Sequence, residues 1–345
     1  MTRIAIIGCG WAGQQHARAC QALGVPVRWA VDTDLTRATT LAASLSQTEH
    51  APRTTSAYQD ALADPDLDAV SICLPHNLHA PVAIDAARSG KHVLVEKPLA
   101  ANLAEADRMI AEADGAGVVL MVAENVRFDA IYRQIRQLLR DGAIGKPALL
   151  QVTRQCYLRD SFLRDRPWFL DLGAAAGGIM MAGGIHDFEA MRMLIGEIES
   201  VYALRAPHRF LEMGGDDTSI AAVRFQNGAV GTLVESFVMK GLTTAAGPEV
   251  HTLRVDGELG HIAWDGGQRV RVFSEHAAWQ IGEQLSQIEI YVSPADSFAE
   301  LLAHWIHCIE AGEEPITSGR SQRASLACVA AAYESMETGR PVLLS

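Results

Sequence analysis

The sequence has no Cys-x-x-Cys spacing, no apolar run long enough to cross a membrane, no internal repeat and no low-complexity tract. Its six cysteines (Cys9, Cys20, Cys73, Cys156, Cys308, Cys328) are scattered, which argues against a disulfide framework or a zinc site. They read as small buried hydrophobes in a reducing compartment. Basic residues are outnumbered, with 29 Lys and Arg against 41 Asp and Glu and a net charge of −12. No nucleic-acid or membrane partner is expected, because phosphate binding needs a basic face. The apolar run after Met1 is too short for a signal peptide, and a cytoplasmic location is expected. At 345 residues, with 49% hydrophobic and 20% charged, the chain reads as a globular protein of two domains.

Two halves differ in pattern. Short apolar runs at 3–7, 27–31, 68–74, 92–95 and 118–123 alternate with helical stretches, the signature of βαβ units and a parallel sheet. Between about 147 and 295, β-rich runs are divided by turn signals such as Gln226-Asn227-Gly228 and Asp256-Gly257. Hairpin-linked strands imply an antiparallel or mixed sheet. The reading is an α/β chain with a dinucleotide-binding domain over 1–123 and a second, α+β domain over 124–345.

Gly8-Cys9-Gly10-Trp11-Ala12-Gly13 fits G-x-G-x-x-G, follows a strand and opens a helix. Gly8 permits the tight turn, Gly10 the approach of a pyrophosphate, and Gly13 the packing of helix on strand. Phosphate charge then meets the helix N-terminus. Asp32 ends the next strand, where a carboxylate accepts hydrogen bonds from ribose hydroxyls and repels a 2′-phosphate. NAD is therefore expected rather than NADP. Arg37 is the residue that softens this preference, and it reads as a solvated helix residue.

Glu96-Lys97-Pro98 places a lysine at the carboxyl end of a buried strand, where open α/β sheets bind their ligands. Such a lysine either acts on the reacting end of a cofactor or merely caps a strand that the proline ends. Burial can bring a lysine's pKa near the working range.

Together these residues resemble the Gfo/Idh/MocA oxidoreductases, the family of glucose–fructose oxidoreductase and inositol dehydrogenase. The likeness runs on through Leu74-Pro75-His76-Asn77-Leu78-His79, Asn125-Val-Arg127-Phe, Gly177-Gly178 and Gly184-Ile-His186 to Thr338-Gly-Arg-Pro-Val342. It implies a Rossmann domain joined to a C-terminal domain with a large open, mainly antiparallel sheet, often used for oligomer contacts. A homodimer or homotetramer and a sugar-like substrate follow from it. It puts Gly8, Gly10, Trp11, Ala12, Gly13, Asp32, Leu74, Pro75, Asn77, His79, Glu96, Lys97 and Asn125 around the cofactor. Lys97 and His186 become the catalytic residues, with Arg127 and His186 toward the substrate; Trp168 is the substrate contact expected from the residue pattern of the stretch Arg154–Trp168. His79 has a second reading as a helix-cap residue, and His186 as a histidine satisfied inside a Gly-rich helix start.

One departure accompanies the likeness. The family commonly has D-x-G-x-H, and here Ala182-Gly183-Gly184-Ile185-His186 replaces the carboxylate by a methyl group. Glu189 is the acidic residue that matches a family position, while Asp187 beside the histidine is expected to point elsewhere. The expected reaction is oxidation of a sugar or cyclitol secondary alcohol, with His186 as base and Lys97 stabilising the alkoxide, or the reverse. Redox-neutral cleavage through transient oxidation and a non-catalytic NAD-binding regulator are the alternatives. From Arg154 to Trp168, four arginines (Arg154, Arg159, Arg164, Arg166) alternate with Tyr157, Phe162 and Trp168. This reads either as a lid over a sugar that carries a carboxylate or aryl group, or as a loop whose charges pair with Asp160 and Asp165. No metal site is expected, and His304, His307 and Cys308 read as packing and surface residues of one amphipathic helix.

Overall fold

The computed structural model describes residues 2–45, 51–241, 249–279 and 287–344, and the chain forms two compact units. The first holds six parallel strands, β1 (Ile4–Ile7), β2 (Val27–Val31), β3 (Arg53–Thr55), β4 (Ala69–Ile72), β5 (His92–Glu96) and β6 (Leu120–Ala123), in the order 3-2-1-4-5-6. β1, β4 and β6 are buried at every position. Helices cover both faces of a parallel sheet, so its strands read as continuous apolar runs. The first crossover helix, Trp11–Leu23, ends at Gly24, whose φ of 67° suits a left-handed cap and lets its N–H reach Gln21 O. Asn102 caps the helix Leu103–Ala116 by accepting from Glu105 N–H at 3.0 Å. β3 carries no apolar side chain, which is why it was not legible as a strand.

This unit is discontinuous. It comprises Met1–Phe128 together with Asp296–Ala324, so the second segment, read from sequence as part of 124–345, packs elsewhere than expected. The reason is apolar. In the helix Ser297–Ala311, Leu301, Leu302 and Trp305 join the core formed by Ile4, Ile6, Ala17 and Cys20. Thr317 then exchanges bonds with Val122, its Oγ1 donating to Val122 O and its carbonyl accepting Val122 N–H. At roughly 25 cal/mol per Å² of apolar surface, such a helix contributes several kcal/mol wherever its stripe finds a partner, whatever its place in the sequence.

The second unit, Asp129–Ala295 with Ser325–Ser345, is built on a nine-stranded sheet. Its strands are β7 (Pro147–Gln155), β8 (Ile198–Arg205), β9 (Thr218–Phe225), β10 (Val230–Ser236), β11 (Val250–Gly257), β12 (Gly260–Trp264), β13 (Arg269–Ser274), β14 (Gln287–Tyr291) and β15 (Val342–Leu343). The order is 14-13-12-11-7-10-9-8-15, antiparallel except for the β7–β10 pair. The expected turn falls between β9 and β10, with Gly228 at φ 89° and Phe225 N–H bonded to Ala229 O. Burial alternates strictly along β9, so one face of the sheet meets the core. The other face leaves Tyr202, Leu204, Ile220 and Val230 exposed. No helix among the described residues is long and apolar enough to cross a membrane.

Candidate active site

Glycine geometry builds the first feature. Gly8 sits at φ 96°, and a Cβ there would overlap the carbonyl of Cys73 at the end of β4. A Cβ on Gly13 would overlap the Gly8 carbonyl, so helix and turn pack against each other only without it. Gly10 is different, since no protein atom lies within 4 Å of the position its Cβ would take. Packing therefore does not require a glycine there, whereas a diphosphate passing over the turn does. The helix Trp11–Leu23 has no side-chain cap, so its first N–H groups are left for an anion, with Trp11 exposed beside them. These residues fit a dinucleotide.

Asp32 is brought to the same turn. Its Oδ2 accepts Cys9 N–H at 2.9 Å and its Oδ1 accepts Asp34 N–H at 2.9 Å. A carboxylate offers about four acceptor positions, so room remains for ribose hydroxyls. Arg37 pairs with Asp34 at 3.6 Å on the surface, as expected for a solvated residue.

Glu96 and Lys97 leave the end of β5 inside a hydrogen-bonded chain that the sequence did not disclose. His16, buried on the glycine-turn helix, places Nε2 3.0 Å from Glu96 Oε1 and Nδ1 2.7 Å from Ser71 Oγ on β4. Glu96 Oε2 accepts Lys97 N–H at 3.2 Å. Three elements thus fix the backbone that carries the lysine. His16 lies three residues beyond Gly13, on the side of the helix that faces the sheet. Only that helical spacing could have flagged it.

His79 lies between the two strand-end segments. It is wholly buried, with Nδ1 2.8 Å from Pro98 O and Nε2 2.9 Å from Leu74 O. Burial lowers its pKa against the pull of the two carbonyls, so the ring ties the two strand-end segments together. Of the neighbouring residues expected at the cofactor, Asn77 is exposed and Leu74 and Pro75 are half-buried. Asn125 donates to Ser297 Oγ at 3.3 Å from a short turn, Asn125–Phe128, that also holds Arg127.

In the second unit, Gly177-Gly178 and the Ala182–His186 turn are clamped from below. Tyr333 Oη accepts N–H from Gly178 at 2.8 Å and from Met181 at 3.2 Å, and donates to Asp216 Oδ1 at 2.8 Å. Ala182 lies in an apolar cluster with Phe162, Phe169, Phe210 and Phe237. A carboxylate there would be desolvated among phenyl rings, so the alanine agrees with its surroundings. His186 is half-buried at the start of the helix Gly184–Leu194.

The neighbouring Asp187 is fully buried. It receives Arg154 at 2.9 and 3.0 Å, and His251 Nε2 lies 3.4 Å away. Tyr132 Oη stands 2.9 Å from the same His251 nitrogen. Burial pushes Asp187 upward, and the charge of Arg154 with that of His251 more than reverses this, leaving it well below the usual carboxylate range. Arg154 is therefore a structural cation and not part of a lid. Glu235 on β10 is also fully buried and neither of its oxygens has a hydrogen-bond partner. Burial and the Asp187 charge push its pKa well above the usual carboxylate range. Glu189 accepts Ser325 Oγ at 2.5 Å and Arg192 at 2.8 Å, which ties two helices of this unit together.

The segment after Arg154 is folded and not a loose loop. It forms the helix Arg159–Asp165 and the turn Pro167–Leu170, with Trp168 stacked on Phe169 at 3.9 Å. Among the described residues no group of three or more His, Cys, Asp or Glu side chains is placed to hold a metal ion. His304 packs on Phe128 at 5.5 Å and its Nε2 accepts Ile316 N–H at 3.0 Å.

Comparison with known proteins matches both halves. Residues 2–124 match the oxidoreductase family with an NAD-binding Rossmann fold, and residues 132–263 match the GFO/IDH/MocA C-terminal domain. The myo-inositol 2-dehydrogenase of Thermotoga maritima is 31% identical over 99% of this chain and 98% of its own. The levoglucosan dehydrogenase of Pseudarthrobacter phenanthrenivorans is 28% identical over 86% and 82%. The crystal structure of aldose–aldose oxidoreductase from Caulobacter crescentus, complexed with glycerol, superposes with a TM-score of 0.85 at 27% identity, covering 99% of each chain. The chain therefore belongs to the GFO/IDH/MocA family and is an NAD(P)-dependent oxidoreductase built on an NAD-binding Rossmann fold.

Proposed function

We propose that this enzyme transfers a hydride between a secondary alcohol of a sugar, glycoside or cyclitol and the nicotinamide of NAD. The observation that carries this reading is the held lysine. Lys97 follows a glutamate whose two oxygens are engaged by His16 and by the Lys97 N–H, in the unit that also bears the open glycine turn. The relatives named above, a myo-inositol dehydrogenase and a levoglucosan dehydrogenase, support the substrate class. The roles follow from charge. Bound NAD supplies the hydride acceptor. As carbinol becomes carbonyl, the hydroxyl proton leaves to His186, whose imidazole suits a base near neutral pH. Lys97 as a cation steadies the alkoxide. NAD over NADP is supported by Asp32 at the ribose position and by Arg37 being engaged with Asp34.

A panel of cyclitols, aldoses and anhydrosugars with NAD and with NADP tests this. The expected result is substrate-dependent growth of NADH absorbance, larger with NAD. Product without net NADH would mean redox-neutral chemistry, and no product at all with intact NAD binding would mean a regulator.

The same reading includes a homodimer or homotetramer through the uncovered face of the second sheet. Tyr202, Leu204, Ile220 and Val230 stand exposed there in three adjacent strands, apolar side chains of the kind that a second copy covers. Light scattering is expected to give two or four times the mass of the 37.2 kDa chain. A monomer mass at micromolar concentration would remove this part of the reading.

A further inference from the structure

Four arginines lie between Arg154 and Trp168, and three of them are matched by carboxylates. Arg154 binds Asp187 and Glu249, Arg159 pairs with Glu212, and Arg164 grips both oxygens of Asp165 at 2.9 Å. Arg166 differs. Its guanidinium lies over the rings of Phe162 and Phe169, at 5.2 and 5.8 Å, and its one hydrogen bond is from NH2 to Ser161 Oγ at 3.2 Å. The nearby Asp165 is hydrogen-bonded by Arg164, and its charge acts on Arg166 without a hydrogen bond between them among the described residues. Burial lowers the pKa of Arg166, the reverse of the shift its matched neighbours show. A half-desolvated cation with most of its donors unused is unfavourable until an anion meets it.

The rings that carry Arg166 belong to the cluster that contains Ala182, four residues before His186. Where related chains commonly place an aspartate, this chain has a methyl group, and the nearest carboxylates are those of Asp216 and Glu235 beside Met180 and Gly183. A planar guanidinium with a free edge matches a carboxylate in bidentate fashion. A phosphate dianion calls for more than one cation, and the other three arginines are taken.

We propose that the substrate is a sugar acid, an aldonate or uronate, whose carboxylate is bound by Arg166. This rests on the dehydrogenase reading above and narrows it. Phe162 and Phe169, stacked on each other at 4.7 Å, both lie against the guanidinium.

The test compares D-glucuronate, D-gluconate, D-glucose and D-glucose 6-phosphate with NAD, in the wild type and in Arg166→Met, which keeps an apolar stem on the rings. Arg166→Lys is the second variant, and thermal unfolding confirms that each is folded. The wild type is expected to favour an acid over glucose in kcat/KM. Arg166→Met is expected to lower the acid-to-glucose ratio by about 10- to 100-fold, the loss of charged hydrogen bonds. Calorimetric binding of the acid is read alongside. Equal handling of acid and neutral sugars, with a ratio unmoved in the variants, overturns the proposal and leaves the dehydrogenase reading standing. Preference for the phosphate ester overturns it too. Arg166-dependent binding of an acid without NADH from any compound supports the proposal and removes the dehydrogenase reading.

Discussion

Lys97→Met is expected to lower kcat by about 10²- to 10³-fold, the usual loss when one donor to a developing oxyanion is removed. NAD affinity, read by quenching of intrinsic fluorescence, should stay nearly unchanged. The glycine turn and Asp32 form their contacts without the lysine side chain. His186→Ala should have a comparable effect on kcat through loss of the base, on the scale of about 10²- to 10⁴-fold for general acid–base groups. Under the proposed roles the two variants combined should cost much less than the product of the single losses, since groups that act as a unit are strongly non-additive. Single-turnover absorbance of NADH separates the hydride step from product release. If Lys97→Met turned over at the wild-type rate, the strand-end lysine would be a cap and the reading of its role would fall.

The second large effect is on folding. Arg154→Met is expected to destabilise the protein by about 3–5 kcal/mol, because it leaves the Asp187 carboxylate buried without its cation. The pH dependence identifies the cause. Asp187 is held well below the usual carboxylate range, so its contribution is present above its unfolded pKa and lost as pH falls through the folded value. In the variant burial, no longer opposed by the Arg154 charge, pushes the Asp187 pKa above its unfolded value. The gap between wild type and variant should be widest near neutral pH and shrink as pH drops toward the unfolded carboxyl value of about 3.9. Urea unfolding at pH 7, 5 and 4 measures it. A gap that stays constant with pH would mean that the arginine stem, and not its charge, was the stabilising part.

The legible parts of this protein were those carried by local pattern. The fingerprint Gly8–Gly13, the strand ending at Asp32 and the strand before Lys97 are short segments whose chemistry lies in consecutive residues. The hairpins of the second sheet were legible for the same reason. β12, β14 and β15 were not: β12 is half-buried along most of its length, β14 alternates but has no fully buried position, and β15 is a two-residue edge.

The least legible features were contacts between distant residues. Nothing in the helix after Gly13 announces that His16 will meet Glu96 eighty positions later. The run of arginines from Arg154 to Arg166 looked uniform, and only packing sorted it into three matched cations and one unmatched. His79, expected at the cofactor, proved to be a buried tie between two carbonyls, because its helix turns the ring inward. Likewise, residues 296–324 follow the second unit in sequence yet pack in the first.

By itself the sequence determined the dinucleotide cradle, the strand-end lysine and the absence of a carboxylate at Ala182, since each depends on which residue occupies a position in a local motif. The tertiary structure decided which charges are satisfied: Asp187 by Arg154, and Arg166 by no hydrogen-bonded carboxylate among the described residues. Burial and partner distance set those outcomes, and both are properties of the folded chain that no stretch of sequence contains.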